Sequence, residues 1–240
     1  MTTDIEVSTV DGPDQHGVVT IRLNRPVKRN AVTSAMYAQL ADALAAADRA
    51  EAAAVVLTGA GGAFTAGNDL RDMVENPPVG DDPPPVRFLA ALTALRAVLI
   101  AAVDGPAVGV GTTVLLHCDL VYATAASTFR LPFVELGLVP EAASTLLLPR
   151  LVGHQRAAEL MLFGERFDAA AAHRMGLVTG VVADAGELDA VVAQRTERLA
   201  ALPHAARYAT KALLVDDTAT TVATRLDLDR RVLQSLLPAR

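Results

Sequence analysis

The sequence holds a single cysteine, Cys118, no tryptophan, and only six Phe and three Tyr among 240 residues. One cysteine excludes any disulfide within the chain, so the fold must rest on its core, as suits a reducing compartment. Scarce aromatics beside abundant alanine disfavour an aromatic-rich β-sandwich and favour helices packed closely through small side chains. No stretch reaches the roughly 20 apolar residues that a membrane span requires. The most apolar one, Leu89 to Val103, carries Arg96 and is stopped by Asp104-Gly105-Pro106. Met1-Thr2-Thr3-Asp4-Ile5-Glu6 offers neither the basic nor the apolar region of a signal peptide. A net charge of −6 provides no pervasive basic field, which argues against a nucleic-acid or membrane-surface binder. These absences lead to the expectation of a soluble, cytoplasmic protein with no nucleic-acid or membrane partner.

What is present is a chain just over half apolar, enough for a substantial core, in which strand-like and helix-like segments alternate. Val18 to Leu23 is β-branched and reads as a strand. Thr33 and Ser34 offer an N-cap for a helix to about Ala50. Ala53 to Thr58 reads as a strand buried on both faces, broken by Gly59-Ala60-Gly61-Gly62. A helix around Val86 to Ala97 leads into a strand at Val98 to Val103. A short helix is then expected after Gly105-Pro106, ending near His117, and a strand at Leu120 to Ala123. This alternation predicts an α/β fold of βαβ units with a largely parallel sheet. From Pro140 the pattern turns helical, with one short strand at Leu177 to Val182. A boundary near Gly164 to Asp168 or Pro203 gives a core over 1–165 and a helical region over 166–240. Asn76 to Pro85, rich in proline, reads as an irregular loop near a site.

Two glycine-bearing turns follow buried strands: Phe64-Thr65-Ala66-Gly67-Asn68-Asp69-Leu70 and Gly105-Pro106-Ala107-Val108-Gly109-Val110-Gly111. Glycine there permits a sharp turn and close ligand approach to backbone N–H groups. Two such turns at one end of a sheet can aim donors at one point, as an oxyanion hole requires, but most such turns are structural. Glu141 follows Pro140 and, on this chemistry alone, reads as a helix start more than as a base. Asp69 reads as a cap more than a base, Glu135 as a solvated loop residue, and His117 and Cys118 as core or interface residues. No metal-ligand set is evident. Arg22, Arg25, Lys28 and Arg29 form a basic cluster that is either a solvated face or a seat for phosphates.

Taken together, Arg25-Pro26-Val27-Lys28-Arg29-Asn30-Ala31, the two glycine turns, Gly137-Leu138-Val139-Pro140, Leu148-Pro149-Arg150-Leu151-Val152-Gly153 and Ala169 to Val178 resemble the signatures of the crotonase (enoyl-CoA hydratase/isomerase) superfamily, in the family order. The resemblance implies a spiral of ββα units with C-terminal helices that trimerise the chain, as a homotrimer or dimer of trimers. It also implies an acyl-CoA substrate and no cofactor beyond that thioester's coenzyme A. Backbone N–H groups of Asn68 and Val110 would be the oxyanion donors, which leaves those side chains nearly free to vary. The family's hydratases carry two glutamates, and Thr113 and Phe133 stand at the matching positions; neither can deprotonate water near neutral pH. Glu141 matches the catalytic glutamate of peroxisomal-type 3-enoyl-CoA to 2-enoyl-CoA isomerases. Substrate contacts are expected from Val27, Lys28, Ala66, Gly67, Asp69, Leu70, Gly109, Phe133 and Leu138, with Lys28 on coenzyme phosphates. The implied activity is that isomerisation. The alternatives are an enoyl-CoA hydratase, an isomerase of ring-epoxidised phenylacetyl-CoA, and an inert acyl-CoA-binding paralogue.

Overall fold

The computed structural model describes residues 3–12, 16–216 and 222–236. It opens with an antiparallel hairpin, β1 (Ile5–Val10) and β2 (Val18–Leu23). Helix α1 (Ser34–Arg49) follows, started by Thr33, whose hydroxyl accepts the Met36 N–H at 3.2 Å. It buries Met36, Tyr37, Leu40, Ala41, Leu44 and Ala47, one apolar stripe at helical spacing. Next come β3 (Ala54–Gly59), α2 (Leu70–Glu75), α3 (Pro84–Ala94), β4 (Val98–Val103), β5 (Pro106–Val108) and α4 (Val110–Thr113). Strands β6 (Leu120–Thr124) and β7 (Thr128–Arg130) precede α5 (Ser144–Val152) and α6 (His154–Phe163). The remainder is β8 (Phe167–Asp168), α7 (Ala169–Arg174), β9 (Gly180–Val182), α8 (Ala185–Ala200), α9 (His204–Val215) and α10 (Val222–Leu236).

The larger sheet runs β1-β2-β3-β4-β6-β9 and is parallel from β2 onward. Its central strands serve two cores. Val55, Leu57, Leu99 and Ala101 pack in the cluster that holds the apolar faces of α1 and α3. Ala54, Val56, Val98 and Ile100 pack with Leu188 and Val192 of α8. Alternate residues are therefore apolar on both sides, which is why these strands read as unbroken apolar runs.

A smaller sheet, β5-β7-β8, forms a second layer. Isolated parallel bridges, Thr65 with Ala107 and Val32 with Asn68, continue it toward the first turns. Each long strand is thus followed by a short extended piece and then by helical structure. This is the ββα spiral that the resemblance implies, and the short pieces carry both glycine turns.

Some elements differ from expectation. The segment Pro106–Val108 is strand β5, so the helix expected after Gly105-Pro106 starts only at Val110 and continues as a 3-10 turn over Val114–His117. Pro84 and Pro85 are not loop: they open α3, where the missing N–H has no helical acceptor to lose. Strands β1, β5, β7 and β8 went unread. Along β1 only Ile5 is buried, which leaves no alternation to detect, and the other three are two or three residues long. Within 166–240, β8 and β9 pair with β7 and β6. No helix among the described residues is long and apolar enough to cross a membrane.

Candidate active site

The first glycine turn is built on Asn30. This residue is fully buried with a left-handed φ of 57°. Its amide donates to the carbonyls of Ala60 and Ala63 at 2.9 and 2.7 Å and accepts from the Arg25 N–H at 2.8 Å. Its own carbonyl accepts from the Thr65 hydroxyl at 2.6 Å, and that hydroxyl in turn accepts the Gly67 N–H at 3.0 Å. The Asp69 N–H donates to the Val32 carbonyl. The amides on both sides of Asn68 are therefore occupied, while the Asn68 N–H has no acceptor among the described residues.

The second turn repeats the arrangement. The Gly109 N–H donates to Arg130, and the Gly109 carbonyl accepts from Thr112 and Thr113. Among the described residues the Val110 N–H has no acceptor. Gly109 adopts φ 56° and ψ −117°, a conformation that side-chain-bearing residues avoid. The turns lie against each other: a Cβ on Gly67 would meet the Val108 carbonyl at 2.9 Å. Between them lies a cavity of about 110 Å³. Ala66, Gly67, Asn68, Leu70 and Met73 line one side and Val108, Gly109 and Val110 another, with Pro132, Phe133, Leu136 and Leu138 closing it. Its walls offer apolar side chains and two free amides.

Glu141 stands one residue behind this wall. It is not a helix start, because α5 begins three residues later. Its carboxylate accepts from the Thr113 hydroxyl at 3.2 Å, and the Asn68 side chain lies close enough to favour its charged form. Burial outweighs both partners and holds its pKa above the ordinary glutamate range. The Asn68 side chain is not free to vary. Its Oδ1 accepts from the buried Tyr37 hydroxyl at 2.5 Å. Burial first, and then the Glu141 charge, push the Tyr37 pKa well up, so Tyr37 stays a donor. Tyr37, Met73, Leu136 and the Asn68 side chain escaped the sequence reading. Tyr37 could have been found only as a polar tip on the apolar stripe of α1.

The other candidates sit apart from the cavity. Val27 and Lys28 are exposed on a 3-10 turn, Pro26–Lys28. Asp69 caps α2 and binds Arg25 at 2.6 Å; the Arg25 hydrogen bond holds its pKa down, and it does not line the cavity. Arg25 is thereby taken from the basic cluster. Glu135 is paired with Arg130. Burial pushes the Cys118 thiol pKa far up, which leaves it inert as a nucleophile. Among the described residues one group of potential metal ligands gathers, His16, Glu51 and His204, with donor atoms within 4.8 Å. Its two imidazoles stack in parallel at 3.9 Å, so their in-plane lone pairs do not converge.

Comparison with known proteins bears on this geometry. The family model described as enoyl-CoA hydratase/isomerase matches residues 13–239. The peroxisomal enoyl-CoA delta isomerase 3 of Mus musculus is 35% identical over 184 residues, 74% of this chain and 56% of that protein. The chain thus spans little more than half the length of that relative. The 1,2-epoxyphenylacetyl-CoA isomerase of Escherichia coli (strain K12) is 38% identical over 229 residues, 90% of this chain and 85% of the relative. A Thermobifida fusca YX protein solved in complex with CoA superposes with a TM-score of 0.84 at 33% identity, over 97% of this chain and 92% of its own.

Proposed function

The chain belongs to the enoyl-CoA hydratase/isomerase family, and on that premise we propose that it shifts the double bond of a 3-enoyl-CoA to the 2 position. One observation carries the reading. A partly buried carboxylate, Glu141, meets the Thr113 hydroxyl and the Asn68 side chain, just behind the cavity that Asn68 and Val110 line, while Thr113 and Phe133 occupy the places where the resemblance puts the hydratases' acids. The CoA-bound Thermobifida fusca structure supports a CoA thioester as substrate.

In this reading the thioester oxygen accepts from the N–H groups of Asn68 and Val110. Glu141 rotates about its side-chain torsions toward the cavity and takes the proton from C2. The C–H electrons enter the carbonyl, and the resulting enolate is held by the two donors. As the carbonyl re-forms, the C2–C3 double bond is made and the C3–C4 pair takes the same proton from Glu141 at C4. One group serves both steps because the proton it takes from C2 makes it the acid that returns that proton at C4, and burial, which raises its pKa, favours that uptake. Tyr37 and Asn68 orient that group, Phe133 and Leu138 keep water out, and Lys28 meets the coenzyme phosphates. The chain acts as a homotrimer or dimer of trimers.

The test is a double-bond shift assay with 3-enoyl-CoA beside a hydration assay with 2-enoyl-CoA. Glu141→Gln is expected to cut isomerisation by roughly 10²–10⁴-fold, as for a lost general base, with binding of a saturated acyl-CoA retained. Brisk hydration by the parent sinks the reading. No turnover alongside tight binding would point instead to an inert acyl-CoA-binding paralogue. A second reading is favoured by the 85% coverage of the E. coli epoxide isomerase. In it the same carboxylate and amides act on a ring-epoxidised phenylacetyl-CoA, and faster turnover of that thioester than of any 3-enoyl-CoA selects it.

A further inference from the structure

We infer that His117 is a positioning residue for Glu141, acting on the backbone of the turn Ala142-Ala143. Only the kinetic arm of its test rests on the isomerase reading. The turn is unusual: Ala142 and Ala143 adopt φ 54° and 51°, two successive left-handed residues without a glycine. Such backbone persists only where its surroundings over-determine it. Part of the restraint is local. The Glu141 carbonyl accepts from the Ser144 N–H at 3.0 Å and its hydroxyl at 2.6 Å, and the Ala143 carbonyl accepts from Leu146 and Leu147.

The remaining restraint comes from another element. His117 Nε2 lies 2.8 Å from the Ala142 carbonyl. A carbonyl only accepts, so Nε2 carries the proton and the ring is a donor. Among the described residues no other side chain from outside the turn and α5 bonds to this backbone. His117 also ends the segment that begins at Val110. Residues 110–117 therefore supply the free Val110 amide, the Thr113 hydroxyl on the Glu141 carboxylate, and the ring that holds the backbone beyond Glu141. One short segment sets the spacing between the proposed oxyanion donor Val110 and the proposed base Glu141.

The test compares His117→Leu, which fills the space without donating, with His117→Gln, which can still donate an N–H. His117→Ala replaces the leucine variant should that one not fold. In the double-bond shift assay His117→Leu is expected to lower kcat by up to about 10²-fold, the scale of a displaced catalytic group, with KM little changed. His117→Gln is expected to recover most of the rate. An arm independent of turnover follows the Glu141 carboxyl by NMR of 13C-labelled glutamate, identified by its loss in Glu141→Gln. Around that carboxyl stand Tyr37, Asn68 and Thr113. Its midpoint is expected to fall toward the ordinary glutamate range in His117→Leu and to keep the parental value in His117→Gln. An unchanged midpoint in His117→Leu overturns the inference, as does a glutamine variant no better than leucine. A parent without isomerase activity would reject the proposed reaction and leave the NMR arm to decide the role of His117.

Discussion

At the scale of single residues, Asn30 shows how much one side chain can organise. Its amide closes the loop after β3 through Ala60 and Ala63, and its carbonyl passes the restraint to Thr65 and then to the Gly67 amide. Asn30→Ala strands two carbonyls and the Arg25 N–H. Each buried group left unpaired costs about 1–3 kcal/mol, so a loss of about 3 kcal/mol or more is expected in urea unfolding. A loss below about 1 kcal/mol would mean that water replaces the amide. Asn30 lies within a motif that the sequence displays plainly, yet its role there was not legible, because its partners lie some thirty residues away. Glu141 is the converse case. The sequence marks the residue, but only the loop geometry shows that it does not start α5, which begins at Ser144.

At the scale of elements, the two turns work because the short second-layer strands hold them against each other. Gly109→Ala tests this directly. The added Cβ would meet Phe133 Cζ at 3.9 Å and Gly67 Cα at 4.0 Å, both ordinary contacts, so any effect is conformational. The backbone at φ 56° must shift to accept alanine, and the Val110 amide shifts with it. Loss of one oxyanion donor costs about 10²–10³ in kcat, and a fall on that scale is expected in steady-state kinetics with an unchanged circular dichroism spectrum. A variant with the parental rate would remove Val110 from the donor pair.

For the whole molecule, the balance of charge bears on how the proposed substrate, a polyanionic CoA thioester, would approach. A chain of net charge −6 repels it overall, so attraction must be local. Arg22, Lys28 and Arg29 are exposed, and none joins an ion pair among the described residues, whereas Arg25 is held by Asp69. Lys28→Ala is expected to weaken CoA thioester binding by roughly 1.5- to 5-fold at low salt, the worth of one exposed ion pair. The difference should vanish as salt shortens the screening length below about 10 Å. A pantetheine thioester without the nucleotide should bind parent and variant alike in calorimetry. Equal losses with both ligands would take Lys28 off the phosphates.

The sequence by itself determined the elements whose signals are local and long enough to repeat. The Thr33 cap and apolar stripe of α1 are of this kind, as are the runs of β3 and β4 and the glycine turns after them. The order of those motifs also carried the spiral. Tertiary structure alone decided the rest. Strands of two or three residues have no period to read and exist only because a neighbouring strand accepts their hydrogen bonds. The links from Tyr37 to Asn68, Thr113 to Glu141 and His117 to Ala142 join residues 25 to 31 positions apart. Distance in the chain says nothing of distance in space. Whether Glu141 is charged follows from its burial, which depends on every element packed around it.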